Sequence, residues 1–149
     1  MYPDARVADF VTEHFVPVRF HVKDQHEDFQ RVGEKYGAMW TPTVLIVDAD
    51  GTERHRIEGF LPANDFLSQL LLGTARAAFE QKDYAATERL YRRVIEQFPD
   101  TEAAPEALYW AGVSKYRATN DPGALKATAA AFGDRYQSSS WAKKASVWR

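Results

Sequence analysis

Few residues in this chain have the types and spacing to do chemistry. His21, Asp24 and His26 lie close enough together to suggest a metal held by imidazole and carboxylate. Their spacing runs from a strand end into a loop, however, without the HExxH helical arrangement and with no fourth ligand in view. We therefore read them as solvent-facing polar residues and expect no metal. Asp48 and Asp50 resemble a paired-carboxylate acid–base site until their context, Asp48-Ala-Asp-Gly51, is considered. Aspartates favour such turns because they accept hydrogen bonds from nearby backbone amides. Arg89, Arg92 and Arg93 form a basic stripe that could meet an acidic peptide, but the interleaved Glu88 and Glu96 favour a solvated helix face held by i,i+4 pairs. His14 and His55 are read as ordinary exposed or half-buried histidines. The sequence holds no GxSxG elbow and no glycine-rich phosphate loop. With no cysteine, it has no disulfide, thiolate metal site or thiol chemistry of its own. The remaining candidate is a recognition surface. In Trp40-Thr41-Pro42 a lone tryptophan precedes a Thr-Pro pair at the mouth of an apolar run, where an exposed aromatic would anchor a partner.

The composition frames these readings. The chain has 149 residues, 45% hydrophobic and 13% aromatic, enough apolar surface for one ordinary domain or two small ones. A net charge of −2 gives no overall attraction to nucleic acid or to an anionic membrane, so neither partner is expected. The longest apolar run, Phe66 to Leu72, is interrupted by Ser68 and Gln69 and is too short to span a bilayer. The first residues lack an apolar signal core, so a soluble, cytoplasmic protein is expected.

The elements that must position Trp40, Thr41 and Pro42 follow from periodicity. Val7, Phe10 and Val11 mark a helix over Ala5–Phe15, and Val16, Val18, Phe20 and Val22 alternate with polar or proline residues as a strand would. Phe29, Val32 and Tyr36 mark a second helix ended by Gly37. Thr43–Val47 is an unbroken β-branched and aliphatic run, expected deep in a sheet with both faces covered. Asp48–Gly51 turns the chain into a more polar strand over Glu53–Glu58, closed by Gly59. A helix then starts after a candidate cap at Asn64 and buries Phe66, Leu67, Leu70 and Leu71.

This order, with its Phe-Val-Pro-Val and Thr-Pro-Thr, resembles the C-terminal two-thirds of the thioredoxin fold, in the form found in bacterial thioredoxin-family proteins, over about residues 5–71. The resemblance implies a cis Thr41–Pro42 bond and a Thr41 backbone that hydrogen-bonds an extended substrate segment. It also implies that the family's first strand, first helix, second strand and CxxC would precede Met1. The family's second strand lies between the strands that match Val16–Val22 and Thr43–Val47. Without it, those strands either pair directly or leave backbone groups for another chain. Tyr2-Pro3-Asp4-Ala5 reads as the middle of a helix lead-in, which favours a piece of a longer protein over a natural remnant kept for binding.

The second half repeats. Phe98–Trp110 lies over Tyr136–Trp148 at an offset of 38 residues, 148 − 110, which points to stacked helix pairs. The details resemble tetratricopeptide repeats. Ala75, Ala78 and Phe79 fall on one helix, and Lys82-Asp83-Tyr84 forms a turn. Tyr91, Val94 and Ile95 fall on the next helix, with Thr87 where the family prefers alanine. A second pair carries Leu108, Trp110, Gly112 and Tyr116, then the turn Asn120–Gly123, then Leu125, Ala129, Phe132 and Tyr136. A third helix starts near Ser139. Ala75, Ala78 and Gly112 are expected to let helices approach while Tyr91, Tyr116 and Phe132 fill the facing gaps.

The fold class expected is therefore α/β, a partial thioredoxin-like sheet with flanking helices over 1–64, followed by all-α tetratricopeptide-like helix pairs over 65–149. The helix at 64–81 is shared and makes the halves one rigid body. The function expected is a redox-inactive protein-interaction module that binds a protein or extended peptide at Trp40, Thr41 and Pro42 or in a repeat groove. It uses no cofactor, and its open sheet edge leaves a homodimer as an option. The alternative is a fragment of a thiol-disulfide oxidoreductase whose CxxC lies upstream of Met1, so the enzyme question stays open.

Overall fold

The computed structural model describes residues 3–149, so the lead-in at Tyr2 lies outside the described residues. The chain divides into two compact units, one ending at Leu67 and the other beginning at Ser68. In the first, α1 (Ala5–His14) is followed by α2 (His26–Tyr36), β1 (Thr43–Val47) and β2 (Glu53–Glu58). The boundary between units falls inside α3 (Ala63–Glu80).

Helix α1 starts where Asp4 accepts a hydrogen bond from the Arg6 backbone N–H at 2.9 Å, which satisfies an otherwise orphaned donor. It buries Val7 and Phe10, as its spacing predicts. Helix α2 ends at Gly37, whose φ of 62° is a left-handed conformation that a residue without Cβ adopts freely. Asn64 does not cap α3. It lies in the first turn and accepts a hydrogen bond from the Arg6 guanidinium at 3.0 Å, while the Phe66 N–H donates to the Pro62 carbonyl.

β1 and β2 form a two-stranded antiparallel sheet in which Val44 faces Ile57, Leu45 faces Arg56 and Ile46 faces His55. Ile46, Ile57 and His55 are buried on one face. On the other strand face, Arg56 donates to Glu53 Oε1 at 2.8 Å and to the carbonyl of Tyr36, tying β2 to the end of α2. That ion pair holds the Glu53 carboxyl below its usual range.

Two expectations fail here. Val16–Val22 forms no strand, and Val16 and Val18 are 92% and 72% exposed. Nor is β1 deep in a sheet, because β2 is its sole strand partner among the described residues. The cause is common to both. Alternation of apolar residues specifies a strand only if a neighbour offers its backbone groups, and neither segment pairs with the other.

The second unit is all helical: α4 (Tyr84–Gln97), α5 (Ala103–Thr119), α6 (Gly123–Asp134) and α7 (Ser140–Ala145), with a closing 3₁₀ turn at Ser146–Trp148. Asp83 caps α4, and Ser139 caps α7 by accepting from the Ala142 N–H at 3.1 Å. The core contains Leu71, Leu72, Tyr91, Val94 and Phe132, all below 2% exposed. Thr87, where alanine was expected, is fully buried and satisfies its hydroxyl by donating to the Asp83 carbonyl at 2.7 Å. Tyr136 is not on α6. That helix stops at Asp134, and Tyr136 takes a φ of 59° and donates its hydroxyl to the Pro99 carbonyl at 2.7 Å.

Candidate functional site

The loop between α2 and β1 carries the residues expected to recognise a partner. Trp40 is 70% exposed, its neighbour Met39 is 91% exposed, and Thr41 and Pro42 are exposed as well. The Thr41–Pro42 peptide bond is cis. Hydrogen bonds pin this loop on both sides of the proline. The Thr43 hydroxyl donates to the Trp40 carbonyl at 2.6 Å, and the Gly59 N–H donates to the Pro42 carbonyl at 2.8 Å. The Thr41 N–H and C=O make no hydrogen bond among the described residues. A rigid backbone thus holds an unpaired donor and acceptor toward solvent beside an exposed indole.

The same pattern continues along β1. In an antiparallel pair, alternate residues bond the partner strand and the residues between them point their N–H and C=O outward. The Gly59–Pro42 bond sets the phase, so Val44 and Ile46 face β2 while Thr43 and Leu45 face the open edge. The register shift between Ile46 and Val47 keeps Val47 on that edge too. β1 itself holds no charged residue or proline, and no further strand covers its edge among the described residues, which leaves an edge competent to take another strand. An open edge at Thr43–Val47 is one of the two options the sequence leaves for that strand, but it is not included among the expected site residues. The signal available was the unbroken run Thr43–Val47, which lacks the protection that edge strands carry.

The other candidates fall where turns and surfaces need them. His21 Nδ1 lies 3.0 Å from Asp24 Oδ2, and His26 opens α2. Among the described residues, no cluster of three or more His, Cys, Asp or Glu is placed to hold a metal. Asp48 pairs with Arg54 at 2.6 Å, and Asp50 accepts the Thr52 N–H at 2.9 Å, which holds its carboxyl below the usual range. Arg92 pairs with Glu88 at 3.0 Å, and Arg93 donates to Gln97 at 3.2 Å, both along one helix. No helix among the described residues is long and apolar enough to cross a membrane.

Residues 2–73 match the family model of a thioredoxin-like domain, and residues 69–101 match that of a tetratricopeptide repeat. A thioredoxin-like domain therefore precedes a tetratricopeptide repeat in this chain. No curated protein and no solved structure matches it. In this thioredoxin-like domain, α1, α2, β1, β2 and the start of α3 follow the chain order the sequence predicts except for the strand expected at Val16–Val22, with the Thr-Pro pair directly before β1. The repeat spans the rest of α3 and all of α4, and α5 to α7 continue the helical array beyond it.

Proposed function

We propose that this chain is a protein-interaction module whose thioredoxin-like domain takes up an extended polypeptide along the open edge of β1. The observation that carries this reading is the line of backbone groups, unpaired among the described residues, from Thr41 through Thr43 and Leu45 to Val47, beginning beside exposed Trp40. Backbone bonds supply affinity with little sequence preference, and the indole supplies an apolar anchor. With no cysteine, the module holds its client without exchanging disulfides, in a cytoplasmic setting.

A labelled peptide of alternating valine and threonine tests this, with a twin N-methylated at every second amide. The plain peptide is expected to raise fluorescence anisotropy and the twin to leave it flat. Trp40→Ala is expected to weaken binding by about 30-fold, the size of a hot-spot aromatic, at an unchanged melting temperature. Equal binding of both peptides, or indifference to Trp40→Ala, would overturn the reading. Sedimentation separates a second copy of the chain on the same edge from a foreign peptide.

One observation favours a second reading, a piece of a thiol-disulfide oxidoreductase whose CxxC lies upstream of Met1. Val16–Phe20 is exposed or half-buried, and its backbone makes no hydrogen bond among the described residues. Such a segment suits a strand that completes its pairing with a preceding part of a longer protein. An in-frame Cys-x-x-Cys in the genomic DNA ahead of Met1 would decide for this reading, and a stop codon there would end it.

A further inference from the structure

Six aromatic rings in the second unit form a continuous series of contacts that forks at Tyr109. Tyr84 meets Phe79 at 5.2 Å between ring centres, Phe79 meets Trp110 at 5.5 Å, and Trp110 meets Tyr109 at 5.5 Å. Tyr109 then lies against Trp141 at 5.2 Å and stacks on Trp148 at 4.7 Å. These rings come from α3, α4, α5, α7 and the closing turn, residues distant in sequence. All six are half-buried, and none is among the fully buried side chains that fill the core between helices. Each therefore keeps part of its surface in water, where a run of large apolar rings marks an interaction site.

Cations lie against the rings at both ends of the series. Arg117 lies 5.1 Å from the centre of the Tyr84 ring and donates to its hydroxyl at 2.8 Å. At the far end the exposed Lys144 lies 3.8 Å over Trp141, so that ring face is turned away from the core. Residues 135–149 contain Arg135, Lys143, Lys144 and Arg149 and no acidic residue. Arg117, Lys143, Lys144 and Arg149 have no carboxylate partner among the described residues. Unneutralised cations at both ends of an apolar strip complement a partner that is acidic and carries apolar side chains.

We propose that this aromatic line is a docking surface for an acidic peptide segment bearing aromatic or aliphatic side chains. Its apolar side chains settle between the rings, and its carboxylates meet Arg117 at one end and Lys144 at the other. Single-stranded nucleic acid, the other partner that stacks on aromatics, fits less well. It needs open ring faces in series and cations along a continuous backbone track, whereas four of the five ring contacts here are tilted or edge-on and the cations sit at the ends. The site lies wholly in the second unit and is independent of the β1 edge.

The test follows the four tryptophan indole N–H signals of the full chain during titration. The probes are a blocked glutamate-phenylalanine peptide, its lysine-phenylalanine twin and a short oligothymidylate. The acidic peptide is expected to shift Trp110, Trp141 and Trp148 while Trp40 stays still, and to bind more weakly as salt rises. Arg117→Glu and Lys144→Glu, both at exposed positions, are each expected to weaken it at least about tenfold without lowering the melting temperature. Equal binding of the two peptides, tighter binding of the oligothymidylate, an unchanged spectrum, or indifference to both charge reversals would overturn the proposal. Shifts at Trp40 alone would also overturn it, and would leave the β1-edge reading standing.

Discussion

Tyr91→Ala is expected to destabilise the helical unit by about 3–5 kcal/mol and to lower its melting temperature by more than about 10 °C. Tyr91 is 1% exposed, so truncation leaves a cavity that the surrounding helices fill only in part. A polar cost adds to this. Arg76 forms an ion pair with Glu106 and also hydrogen-bonds the Tyr91 hydroxyl, whose ionisation burial pushes well above its usual range. Tyr91→Phe keeps the ring and removes the hydroxyl alone, so it is expected to cost only about 1 kcal/mol. Chemical denaturation of both variants separates the terms. A Tyr91→Ala protein as stable as its parent would mean that the tyrosine does not fill the space between these helices.

Gly112→Ala has the second large expected effect, and its sign is opposite to what helix propensity suggests. In an exposed helix interior the change would gain up to about 1 kcal/mol. Here a Cβ would lie 2.0 Å from the Thr128 hydroxyl oxygen and 2.7 Å from its Cβ, where α5 and α6 press together. Thr128 is buried, its hydroxyl already donates to the Ala124 carbonyl at 2.8 Å, and a change of rotamer leaves its Cβ in place. The helices must separate, at a net cost of about 1–3 kcal/mol. Thr128→Ala in the same chain removes two of the three clashing atoms and is expected to recover part of the loss. An unchanged denaturation midpoint for Gly112→Ala alone would refute the close approach.

How far the sequence could be read varies with the range of the forces involved. Helices α1, α2 and α4 were legible because their apolar spacing and the Gly37 terminator act within a few residues. The β1–β2 hairpin was legible for the same reason, since Asp48–Gly51 makes its own turn. The Asn64 cap was misassigned because Arg6, 58 residues away, takes the carboxamide. Tyr136 was misassigned because a hydroxyl bond to Pro99 across the repeat competes with one more turn of α6.

The candidate site divides along the same line. The residue types in Trp40-Thr41-Pro42, the absence of cysteine and the repeat spacing were properties of the chain alone, and they carried the resemblance to the two families whose models match residues 2–73 and 69–101 and the exclusion of thiol chemistry by its own residues. Whether Val16–Val22 would become a strand, and whether β1 would be central or open, depended on which backbone groups found partners. Only the tertiary structure decides that, because a strand completes its hydrogen bonds through residues far from it in sequence. The aromatic line is tertiary in the same sense: its rings are scattered from Phe79 to Trp148, and helix packing alone brings them into contact.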